Sequence, residues 1–493
     1  MPNDVGVIIE SGAQDWQIFQ QDRAGTATVA LRGRWLTANP FKTAIVLVRA
    51  VREDTGEVVS RALNWRDAET RPDGTWSIRL DRVPAGGLYR IETGLQLDGA
   101  PVEWPQRGDM AHHLGVGDIW VITGQSNAAG YGKTPAVDPP ELGIHMFHAR
   151  GRWELATHPL SDSTASRYVA NREGANGSQS PWIHFARVLK RELGYPIGLI
   201  PASLGGSPLS AWVRSVNGIL FTNMLQYVRD AGGSGACRGV VWYQGESDSG
   251  KAEREVYLAR FAEMVADLRK ELRNPDLPVL TAQLNRYVGE AYTAPVHEGW
   301  DVMREIQRQA PRKIPGVYVI STLDLSLSDG IHNDSRSNLV IGERMASLAL
   351  GQVFGRDVKC LHPDLKEARV DGDAAIELVF DHVDTRLHFE DNIPEQFPFA
   401  VQDGQGRVPV KGWKFAAKDC LRIELGRALS GKATVIGAPT ACPPYIVPFD
   451  ICGYRPMLGF TADVRPQATP VPPTSPATRR RTPRQSGTRR QST

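Results

Sequence analysis

The 493-residue chain has no long apolar run and no cysteine pattern of the disulfide type, and both absences narrow its class. No stretch approaches the roughly 20 consecutive apolar residues that a membrane helix requires, so we expect no membrane partner. Residues 1–10 contain no basic segment and no apolar core, which predicts that there is no signal peptide and that the protein is cytoplasmic. The five cysteines are scattered and odd in number, which is typical of free thiols.

The chain also lacks a strong net charge and any Cys/His cluster with the spacing of a metal site. Its formal net charge is +2 at pH 7, with 41% hydrophobic and 23% charged residues, as in ordinary globular proteins. One segment differs: residues 463–493 form a Pro- and Arg-rich tail, which holds seven arginines and is predicted to be disordered. We therefore expect no nucleic-acid partner, since only this tail could contact nucleic acid, and a solvated linker is the favoured interpretation.

The length predicts about three folded regions. Residues 25–110 alternate short β-type runs with Gly and Asp turns, which predicts an N-terminal β-sandwich domain at residues 1–112. Residues 118–354 alternate apolar strands with helical patterns, which predicts an α/β catalytic domain at residues 113–355. Residues 356–462 return to β patterns and are predicted to be a C-terminal β domain. Because the linkers at 108–117 and 352–358 are short, we expect both flanking regions to pack against the centre.

Within the central region, apolar runs predict a mostly parallel sheet. The strands are expected near residues 119–123, 197–202, 239–243, 278–284 and 317–321. The clearest helical periodicity runs from Ala252 to Leu272, where apolar residues recur every three or four positions.

The most informative chemical signal is a serine that directly follows the first of these strands. Ser126 lies between Gly124 and Gly130, which allow the backbone to turn sharply. A serine at this place lies at the carboxyl edge of the sheet, where ligand sites of α/β proteins form. Ser126 is therefore a candidate nucleophile. Taken alone, this segment is equally compatible with an ordinary strand-to-loop turn.

A serine hydroxyl needs a base that accepts its proton, usually a histidine oriented by a carboxylate. Asp329 and His332 lie three residues apart on a loop after the last predicted strand and can supply both groups. Asp324 is a competing acid, but it lies farther from the histidine in sequence. This late pair favours a catalytic interpretation of Ser126.

Acyl transfer also needs hydrogen-bond donors for the oxyanion of the tetrahedral intermediate. The amide of Gln244, after the third predicted strand, and backbone N–H groups beside Gly205 and Gly206 are suitable donors. Glu246 and Asp248 follow closely and would also fit a glycosidase-type carboxylate pair. We favour supporting roles for these two acids. Three tryptophans could stack on sugar rings or simply fill the core, namely Trp182, Trp212 and Trp242.

Four motifs carry a resemblance to a known family. They are Gly-Gln-Ser-Asn at 124–127, Gly-Gly-Ser at 205–207, Trp-Tyr-Gln-Gly-Glu-Ser-Asp at 242–248 and Asp-Gly-Ile-His at 329–332. In this order they resemble the blocks of the SGNH hydrolase superfamily, and more narrowly its sialate O-acetylesterase and acetylxylan esterase branch. The resemblance covers roughly residues 10–462. It implies a flavodoxin-like, three-layer central domain with a mostly parallel sheet, flanked by β-sandwich-like regions.

The resemblance also implies roles for individual residues. By position, Ser126 is the nucleophile, His332 the base and Asp329 its orienting acid. The residues expected to form the oxyanion hole are Ser126, Gly206 and Gln244. Those expected to support the site or contact the substrate are Gln125, Asn127, Gly205 and Glu246. No metal or organic cofactor is implied. Ala128 and Pro208 depart from the family pattern. Ala128 is expected to alter the packing beside the nucleophile without changing the chemistry, and Pro208 is expected to change the shape of the acyl pocket.

The predicted function is therefore hydrolysis of acetyl esters on the hydroxyls of mono- or oligosaccharides, through a serine acyl-enzyme of the sialate O-acetylesterase type. An acetylxylan esterase or another short-chain esterase or lipase-like hydrolase of the superfamily is the first alternative. A catalytically inactive glycan-binding protein is the second. The sequence leaves the oligomeric state open, as well as the sugar and its acetylated position.

Overall fold

The computed structural model describes most of the chain. The described ranges are 5–102, 107–173, 178–232, 236–289, 293–389, 397–444 and 446–466. Most of the predicted tail, residues 467–493, lies outside the described residues, so its disorder stays a prediction. In these ranges no helix combines enough length and apolar character to span a bilayer. All five cysteines are free thiols.

The N-terminal region consists of strands that pack around one apolar core. Their bounds are β1 Gly6–Ser11, β2 Ile18–Gln20, β3 Thr26–Leu36, β4 Ala44–Arg52, β5 Arg66–Asp67, β6 Glu69–Thr70, β7 Thr75–Pro84, β8 Gly86–Leu97 and β9 Arg107–Gly124. One sheet has the order β1-β3-β7-β6, and β4, β5 and β8 connect to β9 in a second sheet. Every second side chain of β3 is buried, as expected where one face of a sheet covers a core.

The central region alternates strands and helices. The bounds are α1 Ser126–Ala129, β10 Ile144–His148, β11 Arg152–Leu155, α2 Trp182–Leu193, β12 Ile197–Pro201, α3 Ile219–Asp230, β13 Gly239–Tyr243, α4 Lys251–Glu271, β14 Val279–Ala282, α5 Ala294–Lys313, β15 Val317–Ile320 and α6 Ser335–Gln352. The strand order is β11-β10-β12-β9-β13-β14-β15, and only β10 and β11 pair antiparallel. The mixed α/β organisation is confirmed.

Two apolar clusters cover this central sheet. One contains side chains of α2 and α6, such as Phe185 and Ile341. The other contains side chains of α3, α4 and α5, such as Phe221, Phe261 and Met303. Both clusters include sheet residues, and strands β12, β13 and β14 are buried along their whole length, which is typical of parallel strands covered on both faces.

Strand β9 joins the N-terminal and central regions without a break. Its first part pairs with β8 and with β2, and its last part, Asp118–Gly124, pairs with β12 and β13. The segment 108–117, which is predicted above to be a short linker, therefore lies inside one long strand. The polar residues that interrupt its apolar pattern hide this continuity.

Among its described residues, the C-terminal region contains three small antiparallel sheets around a shared core. The strands are β16 Asp364–Val370, β17 Ala375–Asp381, β18 Leu387–His388, β19 Phe399–Asp403, β20 Gly406–Val408, β21 Val410–Ala417, β22 Cys420–Leu425, β23 Thr434–Gly437, β24 Phe449–Asp450, β25 Arg455–Pro456 and β26 Phe460–Asp463. Phe380, Phe399 and Phe460 belong to their common apolar cluster. The domain boundaries predicted after residues 112, 355 and 462 stay predictions.

Candidate active site

The chain turns sharply at the end of β9 and places Ser126 at the start of the four-residue helix α1. Gly124 has φ +124°, and a Cβ atom there would lie 2.2 Å from the carbonyl oxygen of Tyr243. Only glycine fits this position, because both the backbone angle and the space exclude a side chain. The amide of Gln125 donates to the same carbonyl at 3.0 Å. Ser126 itself is 7% exposed.

His332 and Asp329 form the pair that the sequence predicts. The Nδ1 atom of His332 lies 2.8 Å and 3.0 Å from the two carboxylate oxygens of Asp329. An ionised carboxylate only accepts hydrogen bonds, so Nδ1 carries the proton and Nε2 is left as the basic nitrogen. The backbone amides of Ile331 and His332 also donate to Asp329, at 3.0 Å and 2.9 Å.

Asp329 is held firmly in its charged form. Burial alone would raise its pKa, but hydrogen bonds from Lys133, from His332 and from the two backbone amides outweigh burial and hold the pKa of the carboxyl well below its usual value. The ammonium group of Lys133, whose side chain is half-exposed, lies 2.7 Å from the carboxylate of Asp329. The orienting acid therefore stays ionised throughout the neutral and mildly acidic range.

Asn127 ties the serine turn to the histidine loop. Its Nδ2 donates to the carbonyl oxygen of Ile331 at 3.3 Å, and its Oδ1 accepts from the backbone amide of Asn333 at 3.0 Å. Ile331 and Asn333 are the two neighbours of His332. Asn127, which follows Ser126, therefore forms hydrogen bonds to the chain on both sides of the candidate base. These bonds hold the two predicted catalytic segments together.

The loop after β12 carries Gly206, one of the predicted oxyanion donors. The amide of Leu204 donates to the carbonyl oxygen of Gly124 at 3.1 Å, which fixes the loop against the serine turn. Gly206 has φ +65°, and a Cβ atom there would meet open space. Among the described residues, the backbone amides of Ser126 and Gly206 have no protein acceptor. Both can therefore donate to a bound oxyanion.

The side-chain amide of Gln244, a predicted oxyanion donor, is bonded to neighbouring protein groups. Its side chain is fully buried, and Nε2 donates to the carbonyl oxygen of Ser207 at 3.2 Å and to Asp248 at 2.5 Å. Its Oε1 accepts from the hydroxyl of Tyr257 at 3.0 Å. Both amide hydrogens are thus engaged below the loop, and an oxyanion role requires one of these bonds to open. That role stays a prediction.

The remaining acids and amides of the motifs support the site from below. Glu246 accepts from Nδ2 of Asn127 at 2.7 Å, and burial raises the pKa of Glu246. Asp248 accepts from the amide of Leu209 at 2.8 Å as well as from Gln244, and burial raises the pKa of Asp248 too. Gln125 accepts weakly from the amides after β13, at 3.3 and 3.4 Å. These bonds fit the supporting roles favoured above and not a glycosidase pair.

Other sequence candidates lie elsewhere. Asp324, the competing acid, forms a two-pronged pair with Arg344 at 2.7 and 2.8 Å. Trp182, Trp212 and Trp242 are fully buried core residues, so none of them offers a face to a sugar.

Sequence reasoning missed the residues that surround the histidine. The ring of Tyr131 stacks on His332 with centroids 4.6 Å apart, and Lys133 pairs with Asp329. Asn285, after β14, donates to the carbonyl oxygen of Ile331 at 2.8 Å. These residues belong to no motif and lie far from His332 in sequence, so no local pattern marks them.

Comparison with known proteins defines the class. Residues 116–351 match the family model described as carbohydrate esterase, sialic acid-specific acetylesterase. This match confirms the predicted resemblance to that family and the predicted class of enzyme, a carbohydrate esterase.

Relatives agree with this assignment. A probable carbohydrate esterase of Arabidopsis thaliana is 26% identical over 253 residues, which are 47% of this chain and 90% of the relative. The sialate O-acetylesterase of Pongo abelii is 25% identical over 300 residues, 54% of this chain and 53% of the relative. The chain therefore spans about half the length of that enzyme. A crystal structure of a carbohydrate acetylesterase from Xanthomonas citri shares the fold, with TM-score 0.64 and 20% identity over 93% of this chain and 99% of that one.

Proposed function

We propose that this protein removes acetyl groups from sugar hydroxyls through an acetyl-enzyme formed on Ser126. The observation that carries the proposal is the pair of hydrogen bonds from Asn127 to the two neighbours of His332. These bonds join the serine turn to a histidine that is already oriented by Asp329. We further propose that the central sheet and its two helical layers constitute an SGNH-type, flavodoxin-like hydrolase domain.

In the first half of the reaction, the hydroxyl of Ser126 attacks the acetyl carbonyl while Nε2 of His332 takes its proton. The negative charge that develops on the carbonyl oxygen is stabilised by the amides of Ser126 and Gly206. The intermediate then breaks its bond to the sugar oxygen, which takes the proton from His332 and leaves as the free hydroxyl. Asp329 stabilises the imidazolium between these two transfers.

In the second half, water attacks the acetyl-enzyme and His332 accepts its proton. The ester bond to Ser126 breaks, the serine oxygen recovers the proton, and acetate leaves.

We propose acetylated mono- or oligosaccharides as substrates and 9-O-acetyl sialic acid as the first compound to test. The name of the sialate O-acetylesterase relative supports this choice, while acetylated xylo-oligosaccharides are the main competing class. We also propose that the protein is cytoplasmic and that the side-chain amide of Gln244 donates to the oxyanion. Cell fractionation tests the first of these two.

The decisive experiment measures acetate release by the wild type and by Ser126→Ala and His332→Ala. We expect both variants to lose about three or more orders of magnitude in kcat/KM with unchanged circular dichroism. Asp329→Asn should lose less, because the histidine keeps part of its orientation. Ser249→Ala, a nearby serine that donates to the carbonyl oxygen of Glu246, is the matched control and should stay close to wild type.

Near-wild-type activity of Ser126→Ala or His332→Ala would contradict the proposed roles of these residues as nucleophile and base. A series of p-nitrophenyl esters separates the esterase classes, since a preference for eight-carbon over two-carbon acyl groups contradicts an acetylesterase. A panel of acetylated sialic acids, xylo-oligosaccharides and pectic fragments then identifies the sugar. Glycan binding without acetate release, and without labelling of Ser126 by a serine-reactive phosphonate, would indicate the inactive binding protein instead.

A further inference from the structure

Glu173 bridges two parts of the candidate site that no sequence motif connects. One carboxylate oxygen accepts a hydrogen bond from the hydroxyl of Tyr131. The other accepts from the backbone amide of Gly205 at 3.1 Å. The backbone amide of Glu173 donates in turn to the hydroxyl of Ser163 at 3.2 Å, which fixes the base of the side chain.

The first bond leads to the candidate base. The ring of Tyr131 stacks on the imidazole of His332 with centroids 4.6 Å apart and an interplanar angle of 23°. The backbone oxygen of Tyr131 also accepts from the hydroxyl of Ser328, in the loop that carries the histidine. Glu173 therefore fixes the position of a ring that limits how the imidazole can rotate.

The second bond leads to the candidate oxyanion hole. Gly205 directly precedes Gly206, whose amide is free to donate. A Cβ atom on Gly205 would lie 2.2 Å from the carboxylate of Glu173 and 3.0 Å from the hydroxyl of Tyr131. The close approach of these three groups thus depends on the missing side chain of Gly205, which explains a glycine where the backbone angle alone does not demand one.

We propose that Glu173 is a positioning residue that holds the base and the oxyanion loop in one fixed relation. The inference rests on the proposed function, since it assigns the parts that Glu173 holds. Hydrogen bonds to an ionised carboxylate are shorter and stronger than neutral ones, and here two of them converge on one side chain. Small displacements of catalytic groups reduce rates by large factors, so such a bridge affects the chemical step more than substrate binding.

The test is Glu173→Ala, measured with the best acetyl ester found for the wild type. We expect kcat to fall about 10- to 100-fold with KM within about threefold, because both bonds are lost while the substrate pocket stays. Glu173→Gln should recover most of the activity, since its amide oxygen can accept from Gly205 and its NH2 group can donate to the hydroxyl of Tyr131. Tyr131→Phe, which keeps the stacked ring, should lose only a few-fold.

Two further measurements separate positioning from a general structural role. An alkylboronic acid forms a tetrahedral adduct with an active serine, and Glu173→Ala should weaken its inhibition about 10-fold while inhibition by acetate is unchanged. The variant Glu173→Ala/Tyr131→Phe should be no slower than Glu173→Ala alone, because Glu173→Ala already removes the hydrogen bond that Tyr131→Phe removes. Glu271→Ala is the matched control. It removes a half-buried carboxylate at the last residue of α4, which pairs with Arg214.

The inference is overturned if Glu173→Ala keeps kcat within twofold of wild type while Ser126→Ala is inactive. It is equally overturned if the loss of kcat is matched by Glu271→Ala, or follows only a fall in Tm. Activity that survives Ser126→Ala overturns the proposed function, and the inference with it. The Ser126→Ala measurement therefore distinguishes the two failures.

Discussion

The two β regions are attached to the central sheet in different ways and at opposite ends. The N-terminal region continues the sheet through its backbone, at the amino ends of the parallel strands. The C-terminal region is attached mainly by side chains that reach its backbone, together with a backbone hydrogen bond from Tyr287 to Ala441, at the carboxyl ends where Ser126 and His332 lie. The difference predicts that the first joint serves stability and that the second also serves catalysis.

The N-terminal joint is a continuation of strands. β2 pairs in parallel with β9 at residues 115–117, and the side chain of Gln20 donates to Asp118 at 2.8 Å and accepts from the amide of Ile119 at 2.8 Å. Asp118 is fully buried and also pairs with Arg238. At about 3.3 Å per residue, the end of this joint at Ile119 lies roughly 17 Å along β9 from Gly124.

The C-terminal joint centres on Arg304 of α5, which is 1% exposed. Its five N–H groups donate to five backbone carbonyl oxygens, so no donor of the guanidinium is left over. Two of these carbonyls follow β14 and three lie in the C-terminal region; they belong to Leu284, Asn285, Ala438, Thr440 and Ala441. Gln283 adds a two-way pair with the backbone of Gly459, at 2.9 Å in each direction.

This second joint is connected to the histidine loop through Asn285. The backbone oxygen of Asn285 accepts from Arg304, and its side chain donates to the carbonyl oxygen of Ile331 at 2.8 Å and to Asn333 at 3.0 Å. Asn127 grips the same two residues from the serine side. The C-terminal region therefore acts on the loop of His332 through two successive contacts, whereas the N-terminal region has no such connection among the described residues.

The largest expected effect comes from breaking the two joints at their arginines. Arg304→Met should lower the free energy of unfolding by about 4 kcal/mol, because it removes five hydrogen bonds and leaves the carbonyl oxygens of Leu284, Ala438 and Thr440 without a donor among the described residues. The oxygens of Asn285 and Ala441 keep bonds from Trp300 and from the amide of Tyr287. Arg238→Met, its counterpart in the N-terminal joint, should lower it by about 2 kcal/mol, since Asp118 keeps its bonds to Gln20 and Tyr195. Urea unfolding measures both values.

Activity then separates the joints. Below its unfolding transition, Arg304→Met should lose at least about 10-fold in kcat, while Arg238→Met should stay within about twofold of wild type. Equal losses of kcat in the two variants would show that both joints act only through stability. Circular dichroism at the assay temperature confirms that each variant is folded.

A smaller effect on stability is expected from Asn285→Ala, which removes the connection to the loop of His332 without removing the joint. We expect kcat to fall about 30-fold with a modest fall in Tm, because the loop of His332 loses two hydrogen bonds. Gln20→Ala is the counterpart that removes two hydrogen bonds from the N-terminal joint. It should lower Tm similarly and leave kcat unchanged. A normal kcat for Asn285→Ala contradicts the proposed connection.

The central strands could be predicted from sequence because each is a continuous apolar run. The strand expected at 197–202 is observed as Ile197–Pro201, and that at 317–321 as Val317–Ile320. The helix expected from Ala252 to Leu272 is observed as Lys251–Glu271. Burial on both faces of a strand, or on one stripe of a helix, leaves a periodic signal in the local sequence.

The candidate site was predictable only where its residues belong to motifs at strand ends. Asp329 and His332 are three residues apart, so a short loop suffices to bring them together. Glu173 and Arg304 act through hydrogen bonds to backbone atoms more than 15 residues away, and a backbone acceptor carries no side-chain signature in the sequence. The two joints escaped prediction for the same reason, since one is backbone pairing and the other is bonds to carbonyls.

The smallest predicted effect concerns the pH dependence of the C-terminal joint. Asp301 lies one turn before Arg304, with one carboxylate oxygen 3.9 Å from the guanidinium and, among the described residues, without a hydrogen-bond donor. Burial raises the pKa of Asp301 to about 6, and the charge of Arg304 only partly offsets it. The unfolded chain releases this proton near the ordinary value of 3.8, so wild-type stability falls as the pH rises from about 4 to about 6 and the loss persists above that range.

Asp301→Asn removes this loss and should be more stable than wild type at pH 8 by on the order of 2 kcal/mol, with little difference at pH 4. Asp118→Asn, in the N-terminal joint, should show the opposite sign at pH 8, because it deprives Arg238 of a carboxylate that is 2.8 Å away. Urea unfolding of the three proteins at pH 4, 6 and 8 measures the effect. Equal pH dependence of wild type and Asp301→Asn would mean that Asp301 titrates alike in the folded and unfolded chains, and that this joint carries no buried proton.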